Sequence, residues 1–276
     1  MRARLTLALI AAGALWGAPA AMAATGSSSS SNWAGYAIHH ANKKFTKVVG
    51  EWTQPTLTCT PGQSTYSAYW VGIGGYAENS DALEQIGTEA DCNAAGDSKM
   101  SAWYELVPAP SRTMRLVVHA GDTLAASVIV DLKAQRVRLE LTNATTHKSV
   151  VKTIHDSDLD LTSAEWIAEA PSECQSSNNC QTLPLADFGS TTFSFAYAQV
   201  SKGHKGSISS RAWDNTKITL VPGGQRFVGF GSGGGGEATP SKLTDGGSAF
   251  TVTYSDGGGS GGPYVATNLR SAEIAR

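Results

Sequence analysis

Two short stretches carry the side chains with most chemistry to offer. Leu83-Glu84-Gln85-Ile86-Gly87-Thr88-Glu89 places a neutral amide between carboxylates. Ala164-Glu165-Trp166-Ile167-Ala168-Glu169-Ala170-Pro171 adds two more acids far downstream. Each reads as a short β-strand bearing polar groups that a half-buried strand would not choose for packing. A carboxylate can act as general base and acid, and an amide N–H can stabilise an oxyanion. That combination points to hydrolysis without a Ser or Cys nucleophile and without a metal.

Strand periodicity constrains the pairing. Residues two apart share a face, so Glu165, Ile167 and Glu169 lie together, as do Leu83, Gln85 and Gly87. If these faces line one groove, Gln85 can meet one of the downstream acids. Gly87 would leave room beside them for a substrate backbone.

The elements that must position these groups are β throughout. Strands are predicted near 33–39, 45–53, 66–73, 83–88, 100–107, 113–119, 123–132, 135–142, 148–154, 164–169, 191–200, 216–221, 226–230 and 249–254. Gly, Pro, Asn, Asp and Ser punctuate them. This spacing suits an all-β sandwich or barrel. Ala120-Gly121-Asp122 reads as a turn between strands. Ser27 to Ser31, Gly231 to Gly236 and Gly257 to Gly262 read as flexible surface segments. Within the last, Gly258-Gly259-Ser260-Gly261-Gly262 matches the Gly-x-Ser-x-Gly pattern, but in a low-complexity context rather than strand–turn–helix.

The chain opens with Arg2 and Arg4, an apolar run from Leu5 to Trp16, and Ala21-Met22-Ala23. This is the pattern of a secretory signal peptide cleaved near Ala23, with residues 24–276 expected as one domain. Lys and Arg total 21 against 23 acids, and two of the Arg fall in the leader. The resulting negative balance argues against nucleic acid or an anionic membrane as partner. A monomer is expected. In an exported protein, Cys59, Cys92, Cys174 and Cys180 suggest two disulfides. Cys174 with Cys180 closes a small polar loop and leaves Cys59 with Cys92, although three connectivities remain open. The six His show no metal-ligand spacing. Asn143-Ala144-Thr145 is an N-glycosylation sequon.

Several further motifs occur in order: Ser31-Asn32-Trp33-Ala34-Gly35-Tyr36, Gly50-Glu51-Trp52-Thr53-Gln54-Pro55, Tyr69-Trp70-Val71-Gly72-Ile73-Gly74-Gly75 and Ala102-Trp103-Tyr104-Glu105. With the Gln85 and Glu169 segments, they resemble the eqolisin family of glutamic peptidases over most of the chain. The resemblance implies a lectin-like sandwich of two antiparallel sheets and a secreted, acid, pepstatin-insensitive endopeptidase without a cofactor. The family's catalytic glutamine falls on Gln85 and its glutamate on Glu169, not Glu165. Trp70 resembles a tryptophan beside the cleavage site, with Gly72 and Gly74 leaving room on its face. Glu89 matches an acidic position near the glutamine. Trp103 and Glu105 share a strand face, a placement that suits lining the groove and packing equally. The pattern departs from the fungal enzymes at Gly74, Ser101 and Val107, where they carry Asp, Asp and Tyr. A Glu169 near its reference pKa of about 4.3 would stay partly ionised to about pH 3–4, giving an acid optimum. A lectin-like carbohydrate-binding module and a glycoside hydrolase with two carboxylates are the alternatives on such a sandwich.

Overall fold

The structure is a computed structural model that describes residues 25–77, 80–176, 179–223 and 236–256, with side chains left aside at 174–176 and 179–180. The signal-peptide segment, the predicted strand at 226–230, and the glycine tracts apart from Gly236 fall outside these residues.

Eighteen strands form among the described residues: β1 (Gly26–Ser30), β2 (Trp33–His39), β3 (Phe45–Thr53), β4 (Thr65–Gly74), β5 (Leu83–Cys92), β6 (Ser98–Val107), β7 (Arg112–Met114), β8 (Thr123–Asp131), β9 (Arg136–Asn143), β10 (Lys148–His155), β11 (Ser163–Glu169), β12 (Ser172–Ser176), β13 (Asn179–Thr182), β14 (Ser190–Val200), β15 (Lys205–Ser207), β16 (Asp214–Leu220), β17 (Glu237–Pro240) and β18 (Phe250–Ser255). The hydrogen-bonded order is β10-β9-β8-β3-β14-β18-β17-β16-β2-β11-β4-β5-β6-β7. This ribbon of strands folds over on itself. The half from β10 to β18 packs on the half from β16 to β7, with β17 at the corner, giving an all-β sandwich.

The core between the layers comes from alternate residues of facing strands. Val48 and Trp52 of β3, Val128 of β8 and Leu139 of β9 meet Tyr69 and Val71 of β4, Ile86 of β5 and Trp166 of β11. Trp166 spans the gap, its indole N–H donating to the Val49 carbonyl at 2.8 Å. Gly50 permits this: a Cβ there would lie 2.7 Å from the Trp166 ring.

The predicted strands at 33–39 and 45–53 match β2 and β3, and most others lie within a few residues of an observed strand. Two expectations are corrected. Ser27 to Ser31 is no loose leader, because Gly26–Ser30 forms β1 and runs parallel to β16. Its hydrogen bonds come from the backbone, so serine's weak strand preference does not prevent pairing. The predicted 113–119 strand ends at Met114. Beyond it Leu116 and Val118 still reach the core, but the backbone turns, with Leu116 N–H bonded to the Met114 carbonyl. The sequon at Asn143 is not presented to solvent. Asn143 is buried, and its side-chain nitrogen is bonded to the Val117 carbonyl and the Asp122 carboxylate.

A disulfide joins Cys59 to Cys92 and so ties the loop after β3 to the end of β5. The backbone register sets Cys174 opposite Cys180 across the β12–β13 hairpin. Whether those two are bonded lies outside the described side chains.

Candidate active site

The outer face of the β2-β11-β4-β5-β6 layer holds the chemistry. The registers build it row by row. Ala37, Glu165, Gly72, Gln85 and Glu105 stand side by side across five strands. The next row of the same face is Gly35, Ile167, Trp70, Gly87 and Trp103. The one after is Trp33, Glu169, Ala68, Glu89 and Ser101. All six residues singled out in the sequence, Gln85, Glu169, Trp70, Glu89, Trp103 and Glu105, therefore share this face. An apolar cluster separate from the inter-layer core lies around them: Trp33, Ala68, Trp70, Leu83, Trp103 and Ile167.

Glu169 sits at the end of β11 and is buried. Its Oε2 accepts the Trp70 indole N–H at 2.7 Å and its Oε1 accepts the Asn32 side-chain amide at 3.3 Å. Burial pushes its pKa up to about 7, against the pull of hydrogen bonds from Trp70, Trp33 and Asn32, which favour the ionised form. The expectation of an ordinary glutamate value is thus corrected, because desolvation outweighs three donors.

Gln85 is buried in the middle of β5, and its Nε2 donates to Glu105 Oε2 at 2.6 Å. That bond fixes which end of the amide is nitrogen. Gln85 and Glu169 are separated by β4. One stands opposite Gly72 and the other opposite Ala68, with Trp70 between those positions.

Trp70 is fully buried, its ring 5.0 Å from that of Trp33 in an edge-to-face arrangement. The glycines around it are not open space. A Cβ at Gly87 would lie 2.2 Å from the Tyr69 carbonyl oxygen and 2.6 Å from Trp70 Cβ. At Gly72 it would meet Leu83 and the Trp70 ring, and at Gly74 the carbonyls of Asp160 and Ala82. The room expected at Gly87, Gly72 and Gly74 is thus filled by neighbouring chain. Small residues are needed there for close strand packing.

Glu89 accepts a hydrogen bond from Ser101. Trp103 is buried within the apolar cluster beside Gly87. Glu165, in the Gln85 row, is fully buried. Burial raises its pKa well above the ordinary carboxylate value, offset in part by Ser163 and reinforced by Asp160 and Glu84.

Residues 31–223 match the family model described as the peptidase A4 family. The chain belongs to the peptidase A4 family. It is a peptidase of the glutamic, eqolisin type, as the sequence resemblance implied. No curated protein matches the chain. Among solved structures, this peptidase is similar to scytalido-glutamic peptidase with a transition state analog inhibitor. That match is 24% identical, covers 82% of this chain and 98% of that one, and has a TM-score of 0.63. It is also similar to aspergilloglutamic peptidase from Aspergillus niger, at 27% identity over 69% of this chain and 99% of that one, TM-score 0.51. A third, the eqolisin SCP-B in complex with the tripeptide Ala-Ile-His, is 23% identical over 82% and 98%, TM-score 0.56.

Three residues around Glu169 carried no functional expectation from sequence: Asn32, Ser30 and Trp33. Asn32 was visible in the Ser-Asn-Trp motif but had no role attached. Ser30 lay hidden in a serine run. The bond from Asn32 to Glu169 spans 137 residues of chain, and no local pattern announces it.

Proposed function

We propose that this A4 peptidase is an exported endopeptidase that hydrolyses protein substrates through a Gln85–Glu169 dyad and an activated water, without a covalent intermediate. The single observation that carries the reading is the environment of Glu169. It is a buried carboxylate held by indole and amide donors, on the same sheet face as an amide pinned by Glu105.

Ionised Glu169 removes a proton from water, and the water attacks the scissile carbonyl carbon. The Gln85 side-chain amide donates to the oxygen as it gains charge. Glu169, now protonated, delivers its proton to the leaving amine as the C–N bond breaks. Glu105 keeps the amide nitrogen aimed, and the indoles of Trp70 and Trp33 hold the carboxylate. The tripeptide complex of SCP-B supports peptide substrates for this fold.

Two opposing effects set the pH range. A base with a pKa of about 7 gains activity as pH rises towards neutrality. Glu84 and Glu165, buried and raised well above the usual carboxylate value, make the fold less stable over the same rise. The proposed optimum is therefore weakly acid rather than strongly acid.

Casein cleavage from pH 2 to 7 with pepstatin present, comparing wild type with folded Glu169→Ala, tests the reading. Pepstatin-resistant cleavage that disappears in the variant supports it. Cleavage that survives the substitution removes Glu169 from the mechanism.

A further inference from the structure

The carboxylate of Glu169 is approached from the N-terminal side by a short chain of hydrogen bonds whose direction is fixed. The backbone N–H groups of Asn32 and Trp33 both donate to Ser30 Oγ, at 3.2 and 3.0 Å. With its lone pairs so occupied, the Ser30 hydroxyl donates to Asn32 Oδ1, 2.9 Å away. An oxygen at that end of the Asn32 side chain puts the NH2 at the other end, where it donates to Glu169 Oε1. Asn32 also holds the main chain at this point, because its carbonyl accepts the N–H of Ala170 at 2.8 Å. Ser30 and Asn32 are both buried, so water does not compete for these groups.

Ser30 is itself placed by β1. That strand lies parallel on β16, with Ser30 opposite Leu220 and its carbonyl accepting the Val221 N–H at 2.8 Å. Thr25 adds a hydroxyl bond to the Asn215 carbonyl at 2.7 Å.

We propose that Asn32, oriented by Ser30, is a positioning residue for the catalytic carboxylate, so that docking of the first strand sets the orientation and proton affinity of Glu169. The inference rests on Glu169 being the reacting group. Asn32 touches neither water nor substrate in this role; it acts through Glu169. A donor to the ionised carboxylate lowers its pKa, so losing that donor raises it. Loss of the Ser30 hydroxyl acts in the same direction, since a flipped amide would offer its oxygen and favour the protonated acid.

The test is the pH profile of kcat/KM for Asn32→Ala, Ser30→Ala and Ser30→Thr, with Glu169→Gln as reference and thermal melting to confirm folding. The low-pH limb is expected to move upward by about half to one unit in Asn32→Ala and Ser30→Ala. KM should change less than about twofold, and Ser30→Thr should restore the wild-type limb. If Asn32→Ala does not fold, Ser30→Ala against Ser30→Thr decides alone. An unmoved limb in folded variants, with Glu169→Gln inactive, overturns the positioning role and leaves the dyad standing. An active Glu169→Gln overturns the dyad instead, and with it this inference.

Discussion

Replacing Glu84 by glutamine should flatten the dependence of stability on pH. Glu84 points into the sandwich from β5 and is fully buried. Burial raises its pKa well above the usual carboxylate value, and the nearby charges of Asp156 and Asp160 raise it further. Folded protein therefore keeps this proton at a pH where unfolded chain has released it. As pH climbs from the ordinary carboxyl range, about 4.3, towards the folded value, each such group lowers stability by about 1.4 kcal/mol per pH unit. Glutamine has nearly the same shape and no proton to lose, so the variant should lack one proton's worth of that slope. For a domain of this size, about 1.4 kcal/mol corresponds to roughly 3–6 °C in Tm. Thermal melts at half-unit steps from pH 3.5 to 7 would read it directly. The variant's Tm should gain about 3–6 °C per pH unit on wild type above about pH 4.5, whatever constant offset the buried amide introduces. Parallel Tm curves would refute the reasoning, because they would mean that Glu84 titrates alike in the folded and unfolded chain.

Trp70→Phe removes the 2.7 Å donor to Glu169 Oε2 while keeping an aromatic ring; the low-pH limb of kcat/KM should rise by about one to two units, read from a pH–rate profile. Gly87→Ala drives a methyl into the Tyr69 carbonyl and Trp70 Cβ, and should cost about 1–3 kcal/mol in chemical denaturation and depress activity. Replacing Cys59 and Cys92 by serine opens a closure of 33 residues; urea unfolding should show a loss of about 3–4 kcal/mol with peptidase activity retained below the new transition.

The site was legible where alternation exposed it. Glu169 lies in a run whose other face, Ala164, Trp166 and Ala168, is apolar, so periodicity put it on a definite side, whereas Gln85, with Glu84 and Thr88 on the opposite face of its run, was selected only by the resemblance. The β-rich fold class followed from strand-length apolar runs broken by turn residues, and Gly121, with its positive φ of 84°, sits where Ala-Gly-Asp predicted a turn. What remained hidden was set by partners distant in sequence. Three glycines read as room for substrate are filled by Trp70, Leu83 and neighbouring carbonyls. A serine run read as loose is a strand held by backbone bonds to β16. Leu116 and Val118 alternate like a strand because they point inward, although the backbone there turns. The proton affinity of Glu169 depends on Asn32, Trp33 and Trp70, none of them near it in sequence.

The most direct measurement is the turnover of Glu169→Gln on a fluorogenic peptide at the pH where wild type is most active, with folding confirmed by melting. The substitution keeps size but removes the base, and it sets an NH2 against one of the two donors that the carboxylate accepts. A fall in kcat of about 100- to 10,000-fold with KM little changed is the predicted result. A kcat within about tenfold of wild type would contradict the account, because no general-base role for Glu169 survives so small a loss.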